Sequence, residues 1–299
     1  MKSVTLFGCL IETDSPLGDI GSYGSEIFRS LRLIEGSDRE SGGSMVPNEV
    51  LSFSRVGRDI GLSRSGDGGK ATVNELFRYD IEGVVSFVWR HGDGNIVYIP
   101  QNGYGRDSFI FWFLDFFMRC FTTIEDIFTV LSASTVSMER EGLLIAGPAG
   151  IGKSTLVKAL TAVGYTMVSD DHSFCIDSAG RWISIPSHPL IWLDKSREKL
   201  ENISDFVEYE KIRSVRVKRI VFPYRRDEKW GDVWRYRGRE ALEKMGDIVV
   251  NPLGISVDAN MLGRIGKLIS STDIFGANLP EGDIGLSVSM LEKIVKGEV

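Results

Sequence analysis

Hydrophobic and polar positions follow two different patterns along this chain, and the pattern changes near residue 125. In the first part, short apolar runs of strand length are separated by stretches rich in glycine and serine at 36–44 and 57–70, which predict loops. Runs 84–90 and 96–100 have strand composition and are joined by turn-forming residues, which predicts a β-hairpin. A helix is predicted from Asp107, as its N-cap, to about Arg119.

The second part alternates between strand and helix patterns. Runs 127–136 and 142–146 predict strands, and 155–163 has helical periodicity with Gly164 as its stop. Run 165–169 predicts a strand that ends on two aspartates, and 173–186 predicts a second hairpin. We therefore expect two domains: a mainly β domain with one helix over 1–125, suited to acceptor or partner recognition, and an α/β domain over 126–299.

Composition and charge exclude several classes of function. The 299 residues are 42% hydrophobic and carry a formal net charge of −6, so the overall field does not attract nucleic acid or an anionic membrane. The most apolar run, 109–121, is shorter than the roughly 20 residues of a membrane span and contains Asp115 and Arg119, which favours a buried helix. The three cysteines lack the spacing of a zinc site or disulfide framework, and with no signal-peptide pattern at 1–10 a cytoplasmic protein is expected.

The strongest chemical signal is a glycine-rich turn between predicted strand 142–146 and predicted helix 155–163. It consists of Gly147, Pro148, Ala149, Gly150, Ile151, Gly152, Lys153 and Ser154, followed by Thr155. In this pattern the glycines let backbone N–H groups converge on phosphate oxygens, the lysine reaches the β and γ phosphates, and the serine hydroxyl binds Mg²⁺. The segment predicts a site for ATP and Mg²⁺; a plain glycine turn at a helix start is the alternative.

Two adjacent carboxylates, Asp170 and Asp171, end the strand that comes after this loop and helix. In a parallel α/β layout the carboxyl end of that strand lies beside the loop. One carboxylate can hold Mg²⁺ while the other accepts a proton from the attacking hydroxyl, which are tasks that phosphoryl transfer requires. A solvated turn with two aspartates is the alternative.

From Leu131 onward the chain resembles the HPr kinase/phosphorylase-related family, whose fold is shared with phosphoenolpyruvate carboxykinase. Segments 131–136, 147–155, 168–171 and 185–193 match in family order, and the match is good over 127–195 and weaker to about 255. The resemblance implies a P-loop kinase domain of the HPr kinase/phosphoenolpyruvate carboxykinase type. It also implies that Asp170 is the general base, that Lys153 acts on the transferred phosphate, and that Asp171 binds Mg²⁺ together with Ser154.

The chain departs from the family at one position of the site. Relatives usually carry a histidine, thought to partner the catalytic aspartate, where this chain has Ser132. His172 is adjacent to the aspartates, but neighbouring residues of a strand point to opposite faces, so His172 is not expected to replace it. The phosphorylase signature is also absent from the sequence. The reverse reaction is therefore not expected. A divergent N-terminal domain and the lack of a sugar-phosphotransfer context favour the branch of serine kinases that tailor peptide precursors, such as those of lasso peptides.

The expected function is ATP- and Mg²⁺-dependent transfer of the γ-phosphoryl group to a hydroxyl, expected to be serine, of a peptide or protein acceptor. Nucleic-acid and membrane partners are not expected, and a homo-oligomer stays open. One rival is a shikimate-kinase-like small-molecule kinase, whose aspartate strand leads into a helix and not into a hairpin. The other is a non-catalytic protein whose partner binding is gated by nucleotide.

A basic segment comes after the predicted hairpin and leaves two interpretations open. Six basic side chains fall within a strand-like run: Arg213, Arg216, Lys218, Arg219, Arg225 and Arg226. They could clamp phosphates or attract an acidic peptide, or they could form a solvated charged face. His188, between serine and proline, is interpreted as a loop residue.

Overall fold

The structure is a computed structural model that describes residues 1–19, 22, 24, 26–38, 48–67, 69–188, 190–194, 199–202, 212–225, 231–251 and 259–299. Within these residues the chain is mixed α/β and forms two compact units. Unit 1 takes the described residues of Met1–Ile127, His188–Glu210 and Asn251–Ser256. Unit 2 takes those of Phe128–Ser187, Lys211–Val250 and Val257–Val299.

Unit 1 is built on an eight-stranded sheet with the order β1-β2-β3-β8-β7-β6-β5-β4. Its strands are β1 Lys2–Leu6, β2 Cys9–Thr13, β3 Arg29–Glu35, β4 Asn48–Arg55, β5 Arg58–Arg64, β6 Leu76–Ile81, β7 Val85–Arg90 and β8 Asn95–Pro100. β3 pairs in parallel with β2 and with β8, and the other pairs are antiparallel. The predicted hairpin is β7–β8.

The loop predicted over 57–70 is wrong where β5 runs. Ile60 and Leu62 are buried and alternate with less buried neighbours, which is the period of a strand with one covered face. The glycines and serines of this region obscured that alternation in the sequence. The other predicted loop, 36–44, lies outside the described residues from position 39 onward.

The predicted helix of unit 1 is present but differs at both ends. It comprises α1 Arg106–Trp112, a π-helical turn Phe113–Phe117 and α2 Met118–Ile124, and its N-cap is Gly105 in place of Asp107. The Phe87 ring of β7 stacks on Phe117 with the ring centroids 4.1 Å apart, so the apolar run packs on the sheet. In the described part of the chain, no helix has the length and apolar character needed to cross a membrane. A hairpin of β15 Leu190–Asp194 and β16 Lys199–Asn202 completes the unit.

Unit 2 contains a nine-stranded sheet and four helices. The strands are β9 Thr129–Leu131, β10 Ala133–Met138, β11 Glu141–Ala146, β12 Thr166–Ser169, β13 Ser173–Ser178, β14 Arg181–Ile185, β17 Val215–Tyr224, β18 Val233–Arg235 and β19 Asp273–Asn278. Within the described residues, the helices are α3 Lys153–Ala162, α4 Gly238–Gly246, α5 Ala259–Ser271 and α6 Ile284–Lys296. The strand predicted over 127–136 is therefore two strands, β9 and β10, with a break at Ser132. The second predicted hairpin is β13–β14.

Strand directions in unit 2 bring four carboxyl ends to one edge of the sheet. β10 pairs antiparallel with both β11 and β12, so those two strands run in the same direction. β11 pairs in parallel with β17, and β17 pairs in parallel with β19. Apolar side chains of the sheet pack with Ala241 and Met245 of α4 and with Ile265 and Leu268 of α5, which fixes the strands as a rigid frame.

Candidate functional site

Residues 147–154, here called the glycine loop, connect the carboxyl end of β11 to the start of α3. Gly147, Gly150 and Gly152 have φ angles of 145°, 86° and 101°, a region that side chains other than hydrogen disfavour. A Cβ added at Gly152 would lie 2.6 Å from Nη2 of Arg225. The glycines are therefore required by backbone geometry, and the guanidinium group of Arg225 lies close over Gly152.

The start of α3 presents backbone N–H groups to the loop. Gly152 is the N-cap, and no side chain caps the helix there. The first N–H groups of a helix lack intrahelical partners and carry the positive end of the helix dipole. This arrangement can bind an anion such as a phosphate group.

The buried side chain of Lys153 is hydrogen-bonded to the backbone of the glycine loop. Its side chain is only 6% exposed, and its Nζ donates to the carbonyl oxygens of Gly147 at 2.8 Å and Pro148 at 3.1 Å. Nζ also lies 3.9 Å from Oδ1 of Asp171. The ammonium group is thus held between the loop and an aspartate, where it can neutralise charge on a bound phosphate.

Asp170 is joined to the glycine loop by a hydrogen bond. Ser154 Oγ donates to Asp170 Oδ1 at 3.2 Å, and Ser134 Oγ of β10 donates to the same atom at 2.8 Å. These contacts are possible because β10 begins at the edge where β11 and β12 end. The residue is 4% exposed, and its second oxygen, Oδ2, has no hydrogen-bond partner among the described residues.

The environment of Asp170 opposes its ionisation. Burial raises the pKa of this carboxyl group, the hydrogen bonds from Ser134 and Ser154 lower it, and the negative charge of Asp171 raises it further. A cation beside Oδ2 would favour the charged form and satisfy the unpartnered oxygen. Carboxylate and hydroxyl oxygens are the ligands that Mg²⁺ prefers, so the residues present fit this ion.

Asp171 begins a change of backbone direction that brings His172 next to it. Asp171 has φ 63°, and the N–H of His172 donates to the carbonyl oxygen of Asp170 at 2.7 Å. His172 Nδ1 lies 3.4 Å from Asp171 Oδ2, so the expectation that His172 points away is wrong. The alternation of faces holds only in extended backbone, and β12 ends at Ser169.

Two serines near the break between β9 and β10 have different positions: Ser132 is at the break, and Ser134 lies in β10. Ser132 is half-buried, and its carbonyl accepts from the N–H of Gly147 at 3.3 Å, so its backbone lies at the start of the glycine loop. Ser134 is a site residue that the sequence prediction missed. Besides its bond to Asp170, Ser134 Oγ accepts from the N–H of Asp171 at 3.1 Å. Thr135 and Ser137 of the same strand are polar as well, so the sequence did not single out Ser134.

The basic segment divides along β17 instead of forming one patch. Arg225, just past the carboxyl end of β17, donates from Nε to the carbonyl oxygen of Ile151 in the glycine loop at 3.3 Å. Lys218 and Arg219 lie farther back on the strand, 3.0 and 3.9 Å from carboxylate oxygens of Glu141. Arg226 lies outside the described residues. His188, in unit 1, is a loop residue as predicted, buried with its ring edge-on to Phe7.

No protein-family model and no curated protein matches the chain. Among solved structures, the chain is similar to that of the HPr(Ser) kinase/phosphatase from Coxiella burnetii. The TM-score is 0.36, and the sequence identity is 15% over 56% of this chain and 95% of that chain. The likeness concerns the fold alone.

In the absence of divalent cations, Asp170→Asn should unfold at a higher temperature than the wild type at neutral pH. Because the folded-state pKa of Asp170 lies above its ordinary 3.8, native protein binds more protons between those two values, and wild-type stability falls as pH rises through that interval. Asparagine lacks this titration and can still accept from both serines. Thermal unfolding in a chelator from acidic to neutral pH checks the prediction.

Asp232→Asn is the control, since it makes the same change at an exposed aspartate of unit 2 and should leave the unfolding temperature near that of the wild type. A lower unfolding temperature for Asp170→Asn than for the wild type at neutral pH would contradict the prediction. The stabilisation should disappear at a pH below 3.8, where the carboxyl group is protonated in both states.

Proposed function

We propose that this protein is a kinase that transfers the γ-phosphoryl group of ATP, with Mg²⁺, to a serine hydroxyl of a peptide or protein acceptor. One observation carries the proposal. Lys153 and Ser154, at the start of α3, contact the two aspartates that come after β12, at 3.9 Å to Asp171 and 3.2 Å to Asp170. A buried lysine, an uncapped helix N-terminus and paired carboxylates form the set that phosphoryl transfer needs.

The chain's own groups have distinct tasks in this proposal. Backbone N–H groups of the glycine loop and Lys153 Nζ hold the β and γ phosphates and neutralise charge that develops during transfer. Ser154 and a carboxylate of the aspartate pair would hold Mg²⁺, which would supply positive charge beside the phosphates. Arg225, whose guanidinium lies over Gly152, is placed to contact the transferred phosphate.

The geometry favours Asp170 as the metal ligand and Asp171 as the base, which is the reverse of what the family resemblance implies. Ser154 contacts Asp170, whose Oδ2 needs a partner, so we propose that these two residues hold Mg²⁺. Asp171 is more exposed, 18% against 4%, and a base must reach the acceptor's hydroxyl. His172, 3.4 Å from Asp171, would orient this carboxylate as the missing family histidine is thought to do.

The rival kinase type is disfavoured by the fold of the chain directly after the aspartates. β13 and β14 form an antiparallel hairpin immediately after Asp171 and His172, where a shikimate-kinase-like chain has a helix. This argues against the shikimate-kinase-like fold. We further propose that residues 1–125 recognise the acceptor. Turnover that depends on an added acceptor would distinguish a kinase from a nucleotide-gated binding protein.

The purified chain, given labelled ATP, Mg²⁺ and candidate peptides including those encoded beside its gene, should transfer label to serine.

Lys153→Ala should lower turnover by on the order of 10²-fold or more, because it removes a charge that stabilises the transition state. Phosphopeptide mass spectrometry and label release measure both results. Normal turnover in a folded Lys153→Ala protein would refute the phosphate-binding assignment.

Asp170→Asn and Asp171→Asn should fail in different ways. If Asp170 holds the metal, its variant should need more Mg²⁺ and be partly rescued by excess Mn²⁺. If Asp171 is the base, its variant should lose about 10²- to 10⁴-fold in kcat with little change in the affinity for ATP. Metal titrations of both variants check the assignment, and the opposite pattern would restore the order that the family resemblance implies.

Arg225→Gln should lower kcat by about 10³-fold. This is the lower end of the range for arginines that stabilise the transition state of phosphoryl transfer in P-loop enzymes. Arg216→Gln is the matched control, because Arg216 is exposed on the same strand and pairs in register with Glu141 at the far end of β11. Steady-state kinetics of the two variants decide the role. Equal effects from both would show that Arg225 contributes only general positive charge.

A further inference from the structure

A cavity in unit 2 lies away from the glycine loop, where α4 and β18 meet the start of β19. It has a volume of about 240 Å³. Its lining residues are Arg235, Tyr236, Arg237, Gly238, Ile269, Thr272 and Ile274. At about 30 Å³ per water molecule, this is room for a small solute rather than for a single ordered water.

The cavity is positively charged. Arg237 has no ion-pair partner among the described residues, while Arg235 pairs with Asp273. An adjoining cavity of about 330 Å³ is lined by the same two arginines and also by Arg219. Asp273 is the one acidic residue among those that line the two cavities, so cationic groups exceed anionic ones there.

Two uncharged features of the cavity also suit an anion. Thr272 is 6% exposed, and its Oγ1 is buried without a hydrogen-bond partner among the described residues. A buried hydroxyl that lacks a partner costs stability, so it is normally kept for a reason. The N-terminus of α4 opens at the same place, with Arg237 as N-cap and no side chain capping the helix.

The cavity is at the opposite edge of the sheet from the glycine loop. Thr272 precedes β19, whereas the loop comes after the carboxyl end of β11, and β11, β17 and β19 are parallel. About five residues of strand separate the two edges, roughly 17 Å. An anion bound here is therefore not a phosphate of the nucleotide held by the loop.

We propose that Arg235, Arg237, Thr272 and the N-terminus of α4 form a binding site for a phosphoryl group, carried by free phosphate or by a small phosphomonoester. Arginine side chains match phosphate oxygens with paired N–H donors. The Thr272 hydroxyl is shielded from solvent in the structure, and a rotation of its side chain would let it donate to a third oxygen. The site does not depend on the proposed kinase activity. If no phosphate binds here, the proposed kinase activity is unaffected.

The experiment measures binding of inorganic phosphate and of glycerol phosphate by calorimetry. Lys153→Met serves as the background, because it weakens phosphate binding at the glycine loop by removing the ammonium charge and keeps the apolar stem. In this background each probe should bind with a Kd of roughly 1 mM or less. Tighter binding of the ester indicates a metabolite as the natural ligand, and tighter binding of phosphate indicates the free ion.

Two variants and one control decide where the probes bind. Arg237→Gln and Thr272→Val should each weaken binding, about tenfold or more for the arginine. Arg239→Gln should not, because Arg239 is on the same helix but 90% exposed and paired with Glu243 at 2.7 Å. Thr272→Val should also fold at least as stably as its parent, since it removes an unpartnered buried hydroxyl.

Three results would overturn the proposal: no binding of either probe, unchanged binding in both test variants, or an equal loss in Arg239→Gln. If Arg237→Gln does not fold, Thr272→Val still decides, because valine has nearly the same shape as threonine and an unchanged Kd in that variant would exclude the site.

Discussion

The hydrogen bonds that Asp170 accepts from Ser134 and Ser154 are the interaction on which the rest of unit 2 depends. They join the start of β10, the start of α3 and the end of β12 at a single carboxylate oxygen. Such a junction requires β11 and β12 to run in the same direction with β10 antiparallel between them, which is the observed order. The topology of the sheet thus fixes which side chains meet, and their chemistry depends on that meeting.

Several energetically unfavourable features lie together at this junction. Burial raises the pKa of Asp170, Asp170 Oδ2 lacks a partner among the described residues, and Asp171 adopts a positive φ of 63°. Unfavourable features of this kind cluster at functional sites and persist because the surrounding packing determines the backbone. Here the apolar cluster between the sheet, α4 and α5 provides that packing.

The sequence predicted the features that are contiguous along the chain. The glycine loop, the strand before it, the helix after it and the β13–β14 hairpin each carry a local signal. Ser134 and the position of Arg225 were not predictable in the same way, because their roles depend on which strands are neighbours. His172 was misjudged because a single residue, Asp171, leaves extended backbone just where the alternation rule was applied.

β17 connects the two proposed sites of unit 2 and sets the conditions for any coupling between them. Arg225 lies just past its carboxyl end and contacts the glycine loop, while Arg219, on the same strand, lines the cavity that adjoins α4. A strand paired on both sides by β11 and β19 transmits a change only if it has two arrangements. Any coupling must also be reciprocal, so an anion at α4 that alters the affinity of the loop for nucleotide would itself bind with an affinity changed by the same factor. Without such coupling an anion at the α4 cavity and a nucleotide at the glycine loop would bind independently, and β17 would carry basic residues to two separate edges of the sheet.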